Sequence, residues 1–504
     1  MKKSLVAAGI IIALGAAWTG ASWYTGKQLA QNIDEYVDNI NAQFKSAYPD
    51  AAIKAVYRDY QGGIFSSKVT LVIQYDGSDK WQKILAPGEE IVVHDTVYHG
   101  PFPLSQLKKF NLTPRMAAIH AELGNTPKTQ SLFDITQNKP FFSAESLVDY
   151  DGAISSDISL VPIEYQDNDQ KFSFSGAHFL WNFSSDFRSQ KVSGSASNLT
   201  SEKKNAWGAK EQFTIKDFAL DVNNHKGKFD IGIGDGKFTA RSLIVAVEGG
   251  DPLVINNVSI QSSVAEDDKN LSGNTTMGLE SLTIGDRNLG SGNLNINFSQ
   301  FDGRGTKQFA TDYQKTMQQY LQHADKSDMQ AYQHQVIMTL LQNLPKVLKG
   351  NPNISISPLS WKNSKGEALL TLSLDMTDPL ENAANAADPA STDEEKIIRQ
   401  SVKKFDAKLN VPLPMLAEFL LQQSKQSDSA EGKEMARKMA AQQAELIANI
   451  SQENKATVTQ DNAIVGSLQY ADGQVDLNGD KISLSEFIAP FIGIADEDDD
   501  DAQP

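Results

Sequence analysis

Apolar positions follow three patterns along the chain. The first is unbroken: Leu5–Trp23 carries no charged side chain and follows Lys2 and Lys3. Nineteen helical residues at about 1.5 Å each reach roughly 28 Å, close to the ~30 Å hydrocarbon core of a bilayer. Leu5, Ile10, Ile11, Ile12 and Leu14 each favour insertion by about 0.3–0.6 kcal/mol, and Trp18, Trp23 and Tyr24 stand where amphipathic rings settle among headgroups. The run predicts a membrane anchor. Lys2 and Lys3 place its N-terminus in the cytoplasm and the remaining chain on the far side. A cleaved signal peptide is the competing reading, with Leu5–Leu14 as its apolar core and Gly15-Ala16-Ala17 as its cleavage site. Continuation of the run into an aromatic belt favours retention.

The second pattern is helical. Leu29, Ile33, Tyr36, Ile40 and Phe44 recur every three or four residues, so a helix continues out of the anchor with one apolar stripe, ended by Pro49. That stripe either packs on its own domain or pairs with a second copy as a coiled-coil stalk, making a homodimer.

The third pattern alternates apolar and Ser, Thr or Asn, as in antiparallel sheets covered on one face. Ala52–Tyr57, Lys68–Tyr75 and Ile91–Tyr98 are expected strands. Leu104–Phe110 and Pro114–Leu123 read as short helices. From Phe141 to Phe301 the alternation is continuous. Helix returns over Thr306–Lys349, with Gln335–Leu348 expected to dock on a sheet. Strands Asn353–Ser357 and Ala368–Met376 flank Trp361–Glu367, and Pro379–Ser391 reads as loop. Helices are expected at Glu394–Lys403, Pro414–Gln423 and Lys433–Ile450, before a last β segment with turns at Asp472-Gly473 and Asn478-Gly479. Three times a helix leads into a hairpin, which raises a duplicated helix–hairpin unit. The expected class is α+β: an N-terminal transmembrane helix, then a large, mostly antiparallel β-sheet body with helices packed on it. Its expected parts are the anchor (1–25), a membrane-proximal amphipathic helix (26–48), a β-rich domain (49–305), a mixed helix and hairpin domain (306–494) and an acidic tail (495–504).

Composition narrows the chemistry. The 504 residues include no cysteine, which removes disulfides, thiolate metal sites and cysteine nucleophiles together. A net charge of −17 opposes binding to nucleic acid. Six consecutive acids at 496–501 have the composition of a solvated tail.

The common catalytic and cofactor signatures fail on their spacing. Gly232-Ile233-Gly234-Asp235-Gly236 lacks the third dinucleotide glycine and lies within strand pattern, and Gly236-Lys237 is followed by Phe238 where a phosphate loop needs a hydroxyl. There is no nucleophile elbow and no His-Glu-x-x-His pair. Around Asp476 and Gly479, a calcium loop would put Ser485 where its bidentate Glu belongs, so that stretch is a β-turn. His94, Asp95 and His99 form the one close histidine–carboxylate group in the N-terminal half, but adjacent strand residues point to opposite faces. His99 is expected to be structural. No catalytic residue, metal ligand or cofactor site is assigned.

His99-Gly100-Pro101-Phe102-Pro103-Leu104, the stretch Leu359–Glu367 with Trp361, Asn363 and Gly366, and Ser467–Gly473 resemble the motifs of the YdgA family, as does the opening Lys3–Ala7. The similarity runs nearly the whole chain. That family comprises bacterial inner-membrane and periplasmic proteins of unassigned function, so the resemblance implies a periplasmic body and self-association, and no catalytic residue. Asn478 and Gly479 are grouped with the family positions, their role open. Two classes of function remain. One is an anchored, non-enzymatic envelope body that binds apolar ligands or partner proteins. The other is a periplasmic hydrolase with a dispersed site. A continuous apolar groove unfilled by the protein's own side chains supports the first, and a deep pocket with convergent carboxylates or a histidine of perturbed pKa supports the second.

Overall fold

The uncharged run and the amphipathic run form one unbroken helix, α1 (Lys2–Ala47), in the computed structural model. The structure describes residues 2–48, 51–78, 84–205, 207–323, 339, 343–380, 393–424 and 429–489, with backbone alone at 2–14, 46–47, 318–323 and 393–394. Among the described residues no helix is long and apolar enough to cross a membrane. Leu5, Ile10, Ile11, Ile12 and Leu14 fall in the part described by backbone alone. The chain divides into two units, 1–204 with 216–225, and 205–215 with 226–504. This boundary lies inside the stretch 49–305 expected as one domain.

In the first unit, α1 lies along one side of an antiparallel sheet. Its strands are β1 (Ile53–Gly62), β2 (Ser66–Tyr75), β3 (Glu90–His99), β4 (Ala117–Leu123), β5 (Phe142–Val148), β6 (Ile154–Leu160), β7 (Ile163–Gln166), β8 (Gln170–Phe174), β9 (Ala177–Phe183) and β10 (Ser189–Lys204), with short helices α2 (Leu104–Leu107) and α3 (Gln130–Ile135) between them. β11 (Lys210–Lys226) contributes its 216–225 part. Strands β1 to β6 pair in order, β6 pairs with β9 and β9 with β10. The far half of β10 pairs with β8, which pairs with β7. Alternation sets the faces: Val56, Val72 and Val92 stand opposite one another across three strands, and Val72 and Val92 are buried. Ile33 of the α1 stripe is buried as well. The stripe therefore packs on its own domain, against β1 and β3.

The expected helix Pro114–Leu123 is a correction: Ala117–Leu123 is strand β4, paired with both β3 and β5. Thr113-Pro114 resembles a helix start, but strands on either side leave an open edge that only an extended segment satisfies. The helix expected at Leu104–Phe110 is shorter, Leu104–Leu107.

The second unit is a long antiparallel meander: β12 (Gly232–Val247), β13 (Leu253–Glu266), β14 (Asn270–Ile284), β15 (Arg287–Asp302), β16 (Asn353–Asn363), β17 (Gly366–Met376), β18 (Val402–Pro412) and β20 (Ala463–Ala471), each paired with the next. β19 (Val458–Gln460) and β21 (Gln474–Leu477) both pair with β20, and β22 (Asp480–Ser483) pairs with β21. Its helices are α4 (Gly303–His323), α5 (Asp393–Ser401), α6 (Leu413–Gln423) and α7 (Ala430–Glu453). Ser429 caps α7, accepting from the Gly432 N–H at 3.0 Å. Buried Ala440, Ala444 and Ala448 form its contact stripe, and α6 packs against it. Trp361 and Asn363 belong to strand β16 rather than to the expected connection, because β15 and β17 pair with it through Lys362. The duplicated helix–hairpin unit does not hold. The hairpin β16–β17 has a paired strand on each side, whereas β19 is a three-residue strand on one flank of β20. Most of Gln335–Leu348, the loop 381–391 and the acidic tail lie outside the described residues.

Candidate functional site

The first family motif fastens α1. His99 closes β3, and its Nδ1 lies 3.0 Å from the Ile64 carbonyl. A carbonyl only accepts, so Nδ1 carries the proton and Nε2 accepts from the Ser67 hydroxyl at 2.9 Å. Ser67 Oγ in turn meets Tyr60 Oη at 3.1 Å. His99 and Ser67 are each 1 % exposed, so the contact that resembles a nucleophile and its base has no room for a substrate. The His99 ring presses on Gly26 of α1: a Cβ there would stand 2.3 Å from His99 Cε1. Gly100 is held as tightly, since a Cβ would lie 1.9 Å from the Arg115 carbonyl oxygen. One helical stretch earlier, Trp18 Nε1 donates to the Phe102 carbonyl at 3.2 Å and its ring lies 4.8 Å from Phe65. Trp18 thus packs on the domain, while Trp23 and Tyr24 are exposed. Pro101 and Phe102 carry the chain from β3 toward α2.

The second motif positions α6. Trp361 Nε1 donates to the Leu289 carbonyl at 2.9 Å, and its ring meets Phe419 edge-on with centroids 6.1 Å apart. Asn363 Nδ2 donates to the Met415 carbonyl at 2.8 Å. A Cβ at Gly366 would press on Met415 and Pro412. The last pair forms a tight turn between β21 and β22, with Asn478 and Gly479 both at positive φ. Asn478 also bonds Ser467 through its backbone N–H and its side-chain oxygen. The structure brings together Trp18 with the His99–Phe102 loop, and Trp361 with Asn363 and Gly366.

A histidine–carboxylate group that the expected helix over Pro114–Leu123 hid is His120, with Glu122 two residues along β4 and Glu145 across the β4–β5 pair. Its Nε2 lies 2.9 Å from Glu122 and its Nδ1 2.7 Å from Glu145. Burial disfavours the charged ring, but the hydrogen bonds and charges of Glu122 and Glu145 outweigh it and raise its pKa. Asp95 is pushed up to about 7 by burial, against a smaller opposing effect of His120. Among the described residues no group of His, Asp and Glu is arranged to hold a metal ion.

The feature with the greatest reach is a face. In the second unit, pairing aligns Phe238, Ile260, Met277, Leu294, Leu359, Leu370 and Leu409 in one row across seven strands. A parallel row runs Ile296, Ile356, Leu372, Ala407, Leu468 and Leu477, and a third Phe298, Ile354, Leu374, Phe405, Tyr470 and Val475. At the β20–β22 side the third row enters a core of Tyr470, Val475, Leu484 and Ile488. Toward the Trp361 end, α6 covers the sheet. Between them, in the first row, Leu359 is 40 % exposed and Met277 is exposed too, while the other members of the three rows are half-buried or buried. The opposite face at the same level carries Asn293, Ser360 and Asn410, with Leu369 among them. Exposed apolar side chains set among such rows suit contact with an apolar partner.

A family profile described as "Bacterial protein of unknown function (DUF945)" matches residues 1–485. Protein YdgA of Escherichia coli (strain K12) is 36% identical over 494 residues, spanning 97% of each chain. The uncharacterized protein YihF of the same strain is 26% identical, over 96% of this chain and 98% of its own. An uncharacterized protein of Haemophilus influenzae is 24% identical over 61% of this chain. No solved structure matches. A profile spanning the uncharged N-terminal run, both units and all three motif groups makes this chain a YdgA-like member of the DUF945 family of bacterial proteins of unknown function.

Proposed function

We propose that this protein is held in the bacterial inner membrane by Leu5–Trp23, with a periplasmic body that binds the acyl chains of lipids without catalysing a reaction. The apolar face of the second unit, exposed at Met277 and Leu359, carries the reading. Its first row crosses seven strands about 4.8 Å apart, a length of roughly 29 Å, and one leaflet of a ~30 Å hydrocarbon core is half that. A whole acyl chain therefore fits along it. Aliphatic and aromatic side chains with no charge among them supply contact without selecting a headgroup. Lys2 and Lys3 before an uncharged run support the orientation. The alternative, a periplasmic hydrolase, would draw on the partly exposed His120 with Glu122 and Glu145; the His99 ring is enclosed by Ser67, Ile64 and Gly26.

The test is mass spectrometry of lipids co-purifying with the detergent-solubilised full chain and with Met277→Glu/Leu359→Glu. Both positions are exposed, so the charges block binding without breaking a core. Loss of lipid from the double variant is expected. Equal lipid in both proteins would overturn the reading.

A further inference from the structure

The strands of the first unit order its turns by end. β1 runs down from Ile53, opposite Tyr75, to Gly62, opposite Ser67. Ser66 stands beside Tyr98, His99 beside Ala117, Ala117 beside Val148, and Ile154 beside both Val148 and Phe183. The turns at 63–65, 100–116, 149–153 and 184–188 therefore share one end of the sheet. Each presents an apolar residue to solvent: Ile64, Phe110 with Leu112, Tyr150, and Phe187. Phe110 is 92 % exposed and sits at positive φ, a conformation that costs a bulky residue energy and buys it no contact within the chain. At the opposite end, among the described residues, the exposed large apolar residues are Tyr48 and Ile84.

Helix α1 fixes what lies beyond this end. Trp18 touches Phe65 and Phe102 in these turns, Gly26 lies against His99, and Asn41 reaches Ala55 further up β1. The helix climbs away from the turns as its numbers rise, so residues 2–17 of the same unbroken helix project past them, by about 24 Å at 1.5 Å per residue. Those residues hold most of the uncharged run. We infer that the four turns are a second membrane contact, resting the sheet end on the bilayer surface around the helix, with Phe110 and Leu112 entering the headgroup layer. The inference rests on the membrane-anchor reading. Lys108 and Lys109 precede Phe110 and suit anionic headgroups, although Lys109 also lies 4.0 Å from Glu145. Asp151 and Asp186 in the neighbouring turns accept backbone N–H bonds of their own loops, from Ala153 and Arg188. Apolar contact at Phe110 therefore drives the docking more than net charge does.

A chain without cysteine allows single-site labelling. The full chain carrying Phe110→Cys, Leu112→Cys or, at the opposite end, exposed Pro87→Cys is labelled with an environment-sensitive fluorophore. Each is reconstituted in vesicles of phosphatidylcholine with a minority of phosphatidylglycerol, with and without nitroxide lipids. The expected result is blue-shifted emission and severalfold stronger nitroxide quenching at 110 and 112 than at 87. If the protein floats with the vesicles but all three labels report water, the turn contact is wrong and the anchor stands. If the protein does not float with them, the anchor reading fails and this inference falls with it.

Discussion

Asn41 of α1 pairs with Ala55 of β1 as a neighbouring strand would: Nδ2 donates to the Ala55 carbonyl at 2.9 Å, and Oδ1 accepts from the Ala55 N–H at 2.7 Å. Among the described residues β1 pairs along its length with β2, and one amide side chain satisfies backbone groups on its other flank. Ala55 is buried, and each unsatisfied buried group costs about 1–3 kcal/mol. Asn41→Ala is expected to lower the denaturant midpoint by that order. Asn41→Asp should be no better than Ala, since a carboxylate retains the acceptor and faces the Ala55 carbonyl with a second oxygen. Urea titration of the two variants checks this; an unchanged midpoint in Asn41→Ala would refute it.

Gly26→Ala reverses a general rule. Within a helix, Ala is favoured over Gly by about 1 kcal/mol. Here a Cβ meets the His99 ring at 2.3 Å, and the ring is held by Ser67 and Ile64. Overpacking of that kind costs typically 1–3 kcal/mol. Gly26→Ala should therefore destabilise, and Gly20→Ala, where nothing lies within 4 Å, should not. Thermal midpoints of the two variants decide the sign.

Stability should fall as pH rises from about 4 toward 7. Asp95 is held protonated to about 7 in the folded chain, whereas its unfolded form ionises near 4. The native state then binds the extra proton through this window, and stability drops with rising pH. His120, raised by Glu122 and Glu145 against burial, acts in the same direction. Its contribution is complete below the ordinary imidazole value and is lost as pH rises through the folded one. Asp95→Asn should raise stability at pH 7 and flatten the slope between about pH 4 and 7. His120→Gln should lower stability at pH 5 more than at pH 8. Urea midpoints across that range give both slopes.

The strand periods of this chain were legible where apolar and polar residues alternate cleanly. Leu294-Asn295-Ile296-Asn297-Phe298 reads as strand and is strand β15. Ala117–Leu123 does not, because Ala117, Ala118 and Ala121 carry little alternation and the pairing partners on both sides decide the conformation. The strand Val402–Pro412 went unassigned for the same reason, as its Lys and Asp positions mask the apolar face that Phe405 and Leu409 present to their neighbours. The contact of His99 with Gly26 spans 73 positions and follows from α1 lying along the sheet, which no local pattern shows. The apolar face was readable as a property of each strand and not as a surface. Only register puts Met277 beside Leu294, and Leu294 beside Leu359.

That face can be tested against its own reverse side. Leu359 and Leu369 are each 40 % exposed on adjacent strands, yet Leu359 stands opposite Leu370, and Leu369 opposite Ser360, so they point to opposite sides of the sheet. A benzophenone side chain placed at 359 or at 369 in the full-length protein, irradiated in lipid-containing detergent, reads which side holds acyl chains. Crosslinking to lipid from 359 and little from 369 is the predicted result. Equal crosslinking from the two positions, or none from 359, would contradict a lipid-binding face.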